Sequence, residues 1–333
     1  MKKILFLTVL SLILILGACS DSDKGDAKGA SGSNDEATDY PEENISIVVP
    51  FSPGGTTDNT IRKIASVLPD YLPNDVSIVV ENKPGGTGVI GTQEVVDADP
   101  DGYTLLYDPV IIAGLQDLFD KADYNYEDLD PIINIQASQS VMLVDADAPW
   151  DSFDQWLDYV KDNPGEFQYG TPGVGSSQHL AMEAFNIDAG LQTKMIPFEG
   201  NSDSLTALLG GNIDGVIIQG HEASEHVEEG SIKPLFHLGD GKYFSDIPVL
   251  KDEGYENVLS DPSSGLFAPK GLPEEKKEII YNAFSEALKD PEVVEFFEDL
   301  DLEPEGTGLG DFEQSIEEQY DIVEKVLEEV DVK

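Results

Sequence analysis

The sequence is poor in positive charge. Lysine and arginine number 19 against 66 aspartates and glutamates, a formal net charge of −47 over 333 residues. Such a surface repels a phosphate backbone, which excludes nucleic acid as a partner. It also excludes docking on anionic lipid through the protein's own face. Arg62 is the single arginine, so no cluster of guanidinium forks can hold an anion. Cysteine is absent except for Cys19, and no internal disulfide can form. The four histidines lack metal-ligand spacing. His221 and His226 stand five residues apart and fall on different faces of a helix, so segment 221–226 reads as a solvated acidic stretch. His179 and His237 have no neighbours at ligand spacing. No stretch matches the P-loop pattern G-x-x-x-x-G-K-[ST], and residues 173–176 do not form the G-x-S-x-G elbow. With this many carboxylates an Asp/Glu pair arises at any spacing by chance. The sequence therefore predicts no catalytic residue, no metal site and no cofactor.

What is present begins at the N-terminus. Met1-Lys2-Lys3 precedes an apolar run from Ile4 to Leu16, which is short for a membrane span and suits a signal peptide. Leu16-Gly17-Ala18-Cys19 follows and resembles a bacterial lipobox, with Cys19 as the lipidated residue. The expectation is a signal peptide over residues 1–18 and a flexible acidic tether over residues 19–44, too poor in large apolar residues to bury a core. The mature chain is then extracytoplasmic and held to the bacterial cell membrane by its lipid. Its periodic apolar segments rule out general disorder. The carboxylate excess fits a folded protein that meets high salt, where the charge is screened.

From Ile45 onward strand-like and helix-like segments alternate, which predicts an α/β fold with mainly parallel sheets. Three segments join a strand to a helix through glycine, proline and hydroxyl residues: 53–58, 84–91 and 171–177. The first lies in Pro50-Phe51-Ser52-Pro53-Gly54-Gly55-Thr56-Thr57-Asp58. Such a loop is either an ordinary βα turn or an anion site built from the uncapped N–H groups of a helix start. Three in one chain favour the anion site, because ligands of open α/β sheets gather at the carboxyl ends of strands. Arg62, four residues after Asp58, is expected to pair with that side chain along the helix. Residues 86–91 also fit the dinucleotide fingerprint G-x-G-x-x-G, with Asp108 at a ribose-contact distance. An exported protein meets no steady nicotinamide supply, so the anion loop is the better reading.

Seven segments run in order along the chain: Pro50-Phe51-Ser52-Pro53-Gly54-Gly55 with Asp58, Glu81-Asn82-Lys83-Pro84-Gly85-Gly86, Asp101-Gly102-Tyr103-Thr104-Leu105-Leu106, Gly170-Thr171-Pro172-Gly173-Val174-Gly175-Ser176, Gly210-Gly211-Asn212-Ile213-Asp214, Ile247-Pro248-Val249-Leu250 and Ala268-Pro269-Lys270-Gly271. Together they resemble the tripartite tricarboxylate transporter receptor family, the TctC/Bug-type solute-binding proteins, over nearly all of residues 45–330. The resemblance implies a two-lobed Venus-flytrap of the type II periplasmic class, a monomer that closes on an organic carboxylate, a di- or tricarboxylate or similar, and delivers it to a two-subunit membrane transporter. It implies one lobe over residues 45–140 and 240–333 and another over 141–239. One lobe would bind through Phe51, Ser52, Gly54, Gly55, Thr56, Asp58, Gly85, Gly86, Thr87 and Gly88. The other would use Thr171, Gly173, Gly175, Ser176, Ser177, Phe198 and Gly200. Glu199 stands where the family frequently has lysine, which weakens the case for a strongly anionic ligand end there. Ser264 stands near a usual tryptophan. The competing readings are a tethered extracellular hydrolase and a ligand sensor that uses the same cleft.

Overall fold

The computed structural model describes residues 40–330 apart from 75, 240–242, 256, 260–261, 301 and 303. The signal peptide, Cys19 and nearly all of the tether lie outside the described residues. The chain runs β1 (Ile45–Val49), α1 (Thr56–Val67), β2 (Ile78–Asn82), α2 (Val89–Val96), β3 (Thr104–Pro109), α3 (Val110–Ala113), β4 (Leu129–Ala137) and β5 (Ser140–Asp145). It continues through α4 (Phe153–Asp162), β6 (Gln168–Thr171), α5 (Ser177–Ala189), β7 (Lys194–Pro197), α6 (Asn201–Leu209), β8 (Gly215–Gln219), α7 (Gly220–Glu228) and β9 (Ile232–His237). It ends with β10 (Ser263–Pro269), α8 (Glu274–Ala287), α9 (Pro291–Asp299) and α10 (Leu309–Glu329).

The strands form two five-stranded sheets, ordered β2-β1-β3-β10-β4 and β7-β6-β8-β5-β9. The two orders are the same pattern. In each, three parallel strands are followed by one that runs against its neighbours: β10 against β3 and β4, β5 against β8 and β9. The sheets are therefore mixed rather than mainly parallel. The apolar runs marked the strands, but strand direction depends on where the chain re-enters a sheet, and hydropathy carries no record of that. Segment 221–226 is helical, with its acidic side chains in solvent. It lies in α7, which buries Gly220 and Ala223 and turns its charges outward.

Two residues connect the sheets directly. Ala137 pairs with Ser263 at the end of β4, and Ser140 opens β5 opposite Gln219, the last residue of β8. Only Ser138 and Gln139 lie between, and two residues span about 7 Å at most. Ser138 N–H donates to Pro262 O at 2.8 Å, and Gln139 O accepts from Gly220 N–H at 2.9 Å. The carboxyl ends of β1–β3 and of β6–β8 thus face one crevice. Behind it α10 spans both lobes. Phe312 packs on Phe267 of β10 with ring centroids 5.5 Å apart, and Val326 lies with Ala184 and Ile187 of α5. The second lobe is filled by an aromatic cluster in which Trp156 meets Phe167, Phe185 and Phe236.

Candidate functional site

The turn from β1 into α1 leaves its helix open at the N-terminus. Gly55 is the N-cap and supplies no side-chain bond. Among the described residues, no acceptor meets the N–H groups of Thr56, Thr57 or Asp58. These N–H groups and the helix dipole make a positive patch without a charged side chain. Ser52, Gly54, Gly55 and Thr56 are exposed and Phe51 is half-buried. Asp58 is only 2% exposed. Its carboxylate accepts from Gly54 N–H at 2.8 Å, Arg62 Nε at 2.9 Å and Asn82 Nδ2 at 2.9 Å. Burial alone would raise its pKa, but bonds from Arg62, Gly54 and Asn82 hold it below the usual carboxylate range. The expected Arg62 pairing is present. Gly54, however, gives its N–H to Asp58, so the donors left for a ligand lie one turn later, at Thr56–Asp58.

The second loop is pressed against the first. Asn82 Nδ2 also donates to Phe51 O at 3.0 Å. A Cβ on Gly91 would lie 2.7 Å from Lys83 O and 2.8 Å from Pro50 Cβ, so only glycine lets α2 approach this closely. Gly85, Gly86, Thr87 and Gly88 all have positive φ, at 144°, 57°, 56° and 104°. Thr87 is the non-glycine member, and left-handed backbone there costs about 1 kcal/mol or more. Gly88 is buried, and a Cβ on it would meet Ile112 Cγ2 at 2.8 Å. Its own N–H is used on Gly85 O at 3.0 Å.

The opposing lobe repeats the device twice. Ser176 caps α5 by accepting from His179 N–H at 3.2 Å, and the N–H groups of Ser177 and Gln178 have no acceptor among the described residues. α6 starts at Gly200 without a side-chain cap, leaving the N–H groups of Asn201, Ser202 and Asp203 free in the same sense. Phe198 N–H donates to Thr171 O at 3.0 Å and so joins the two loops. Pro172, Gly173, Phe198, Glu199 and Asp203 line one open depression. Thr171 is fully buried and its hydroxyl donates to Gly173 O at 3.2 Å, so it shapes the loop from below. Gly175 N–H donates to His179 Nδ1 at 3.1 Å. Burial pushes the His179 pKa down to about 4, which keeps Nδ1 free to accept.

The sequence-predicted residues thus gather in two groups, one per lobe, each internally in contact. Ser177 differs. It shares a narrow crevice with Pro109, Val110, Ile111, Leu180 and Ser263, nearer the junction of the lobes. Three supporting residues were not singled out by sequence. Asn82 ties α1 to β2 from 24 positions away. His179 holds the Gly175 loop. Asn201 Nδ2 reaches Gln219 and Glu222. Their signal was absent because each acts through a backbone group or a distant strand. No helix among the described residues is long and apolar enough to cross a membrane, and no cluster of metal-ligating side chains occurs among them.

A sequence profile described as "Tripartite tricarboxylate transporter family receptor" matches residues 60–332. Protein BugT of Bordetella pertussis is 32% identical over 267 residues, 78% of this chain and 81% of that protein. The crystal structure of a TctC solute-binding protein from Polaromonas, without ligand, superposes with a TM-score of 0.82 at 25% identity, covering 87% of this chain and 100% of the other. MatC from Rhodopseudomonas palustris with bound malate gives a TM-score of 0.61, also at 25% identity, covering 86% and 100%. The chain belongs to the tripartite tricarboxylate transporter receptor family, whose members are extracytoplasmic solute-binding proteins.

Proposed function

We propose that this family member is a lipid-anchored receptor that closes its two lobes on an organic carboxylate and presents it to a two-subunit membrane transporter. The observation that carries the reading is the arrangement of unpaired helix N-termini, those of α1 on one lobe and of α5 and α6 on the other, at strand ends that face one crevice. We assign residues 45–140 and 240–333 to the first lobe and 141–239 to the second, with Ser138–Gln139 as part of the hinge. Binding occurs in three steps. A carboxylate enters the crevice and accepts from the N–H groups of Thr56–Asp58, with Phe51 and the 85–88 loop against its flank. The second lobe then swings in about the hinge. Its α5 and α6 starts complete the site and exclude water, and the closed form presents both lobes to the transporter.

The wall of the second lobe narrows the ligand class. Glu199 and Asp203 line its depression, and neither has a salt bridge among the described residues. A second carboxylate at that end would face two negative side chains. Rather than the di- or tricarboxylate that the resemblance implies, the ligand is therefore a monocarboxylate, whose far end adds no second negative charge beside Glu199 and Asp203. Calorimetry with pentanoate, 5-aminopentanoate and glutarate, five-carbon acids of one chain length, tests this. The two monocarboxylates are expected to bind more tightly than glutarate, and Glu199→Lys is expected to shift preference toward glutarate. A preference for glutarate in the wild type contradicts the ligand class. Failure of all three and of malate contradicts carboxylate capture itself.

A further inference from the structure

Asp108 stands near the end of β3, completely buried, on the strand face that meets α2. Its Oδ2 lies 2.7 Å from Thr92 Oγ1, and its Oδ1 has no hydrogen-bond partner among the described residues. Thr92 Oγ1 is also 3.2 Å from Gly88 O, the last residue of the strained loop that presses on Phe51. A threonine hydroxyl has one proton to give and can also accept. If Asp108 is ionised, two acceptors compete for that proton. The shorter, charge-assisted bond to the carboxylate prevails and Gly88 O loses its hydroxyl. If Asp108 is neutral, its own O–H donates to Thr92 Oγ1, and Thr92 donates onward to Gly88 O. Only the neutral acid satisfies both contacts.

The surroundings favour the neutral acid. Among the described residues, the titratable groups in electrostatic reach of Asp108 are Tyr107, next to it on β3 but on the opposite face, and Tyr124 across α3, with Asp117 beyond Tyr124. No cation is among them. Tyr124 donates its hydroxyl to Ile112 O at 3.0 Å, and its oxygen also lies in hydrogen-bond contact with Thr92. Burial, only partly offset by the Thr92 bond, pushes the Asp108 pKa well above the carboxylate range. A charge here would also sit beneath the loop that flanks an incoming anion.

We infer that Asp108 is a protonation gate for the 85–88 loop: as a neutral acid it lets Thr92 hold Gly88, and on losing its proton it draws Thr92 away and places a negative charge under the site. Asp108 acts through Thr92 and is a positioning residue. The effect on affinity rests on the carboxylate-receptor reading, whereas the coupling of Asp108 to Gly88 does not.

The test is a ¹³C NMR titration from pH 5 to pH 10, following the Asp108 carboxyl and the Gly88 carbonyl. The gate requires Asp108 to stay protonated above the ordinary carboxylate range and to lose its proton within the titrated span. The Gly88 carbonyl should shift with the same midpoint, and in Asp108→Asn, whose amide donates at every pH, it should stay still. An Asp108 already ionised at the start of the span, no transition by its end, or a Gly88 signal that ignores the transition each overturns the inference. The parallel arm titrates pentanoate at the two ends of the transition. Wild-type affinity should fall about tenfold, the weight of one buried hydrogen bond, while Asp108→Asn changes less than twofold. If pentanoate binds neither protein, the receptor reading has failed in its ligand, and the NMR arm still decides the gate.

Discussion

His179 is a single side chain on which a whole loop depends. It is 5% exposed, and its Nδ1 must be unprotonated to accept from Gly175 N–H. Its folded pKa, about 4, lies below the unfolded value of 6.5. The unfolded chain therefore takes up the proton first as pH falls. Stability is full above pH 6.5 and declines toward pH 4, by about 3 kcal/mol over the window. His179→Asn keeps an acceptor near Gly175 without the titration. Denaturant unfolding at pH 7 and pH 4.5 should show a smaller acid loss in this variant, and an equal loss in both proteins would contradict the assignment. At the ligand contact, Gly55 has φ −77°, and an added Cβ would meet only Ser52 O at 3.9 Å. Gly55→Val should therefore abolish carboxylate binding at a stability cost of only about 1 kcal/mol, the loss of a tolerated N-cap. Unchanged affinity would remove the α1 terminus from the site. Gly54 is a poorer probe, because its φ of +89° would strain any replacement. Residue roles were legible where partners are near in sequence, as for Arg62 and Asp58. They were illegible where the partner is a backbone group, as for His179, or a distant strand, as for Asn82.

At the scale of elements, the hydrophobic pattern located most strands and helices, and Ser152 caps α4 by accepting from Gln155 N–H. The pattern missed α7 because its acidic composition hides a buried face only two residues deep. It also gave no strand direction. The antiparallel β10 is the element that brings the chain back across the crevice, and α10 is the strut laid over it. Their contact leaves no room at Gly265, where a Cβ would lie 2.3 Å from Phe312 Cζ and 3.0 Å from Ile133 O. Gly265→Val should push α10 off the first sheet and destabilise the protein by about 3 kcal/mol or more. A melting curve like the wild type's would show that α10 is not a fixed part of the hinge.

The whole molecule carries −47 charges, and its few cations are largely occupied at the surface, as Lys63 is with Glu292 and Lys233 with Asp151. At molar salt the Debye length is about 3 Å, so distant carboxylates are muted while helix ends in a closed cleft still act. The melting temperature should rise from dilute buffer to molar potassium chloride, and a flat or falling trend would contradict adaptation to salt. The central claim is that carboxylate binding and lobe closure are one event. Ile90, in the first turn of α2, and Val174, in the 171–177 loop, are exposed side chains on opposite lobes, and the lone native cysteine is easily replaced by serine. Spin labels at positions 90 and 174, read by double electron–electron resonance, report the gap directly. The distance should shorten when the tightest of the tested carboxylates is added to the wild-type background and stay open in Gly55→Val. A bound carboxylate with an unchanged distance would contradict the account.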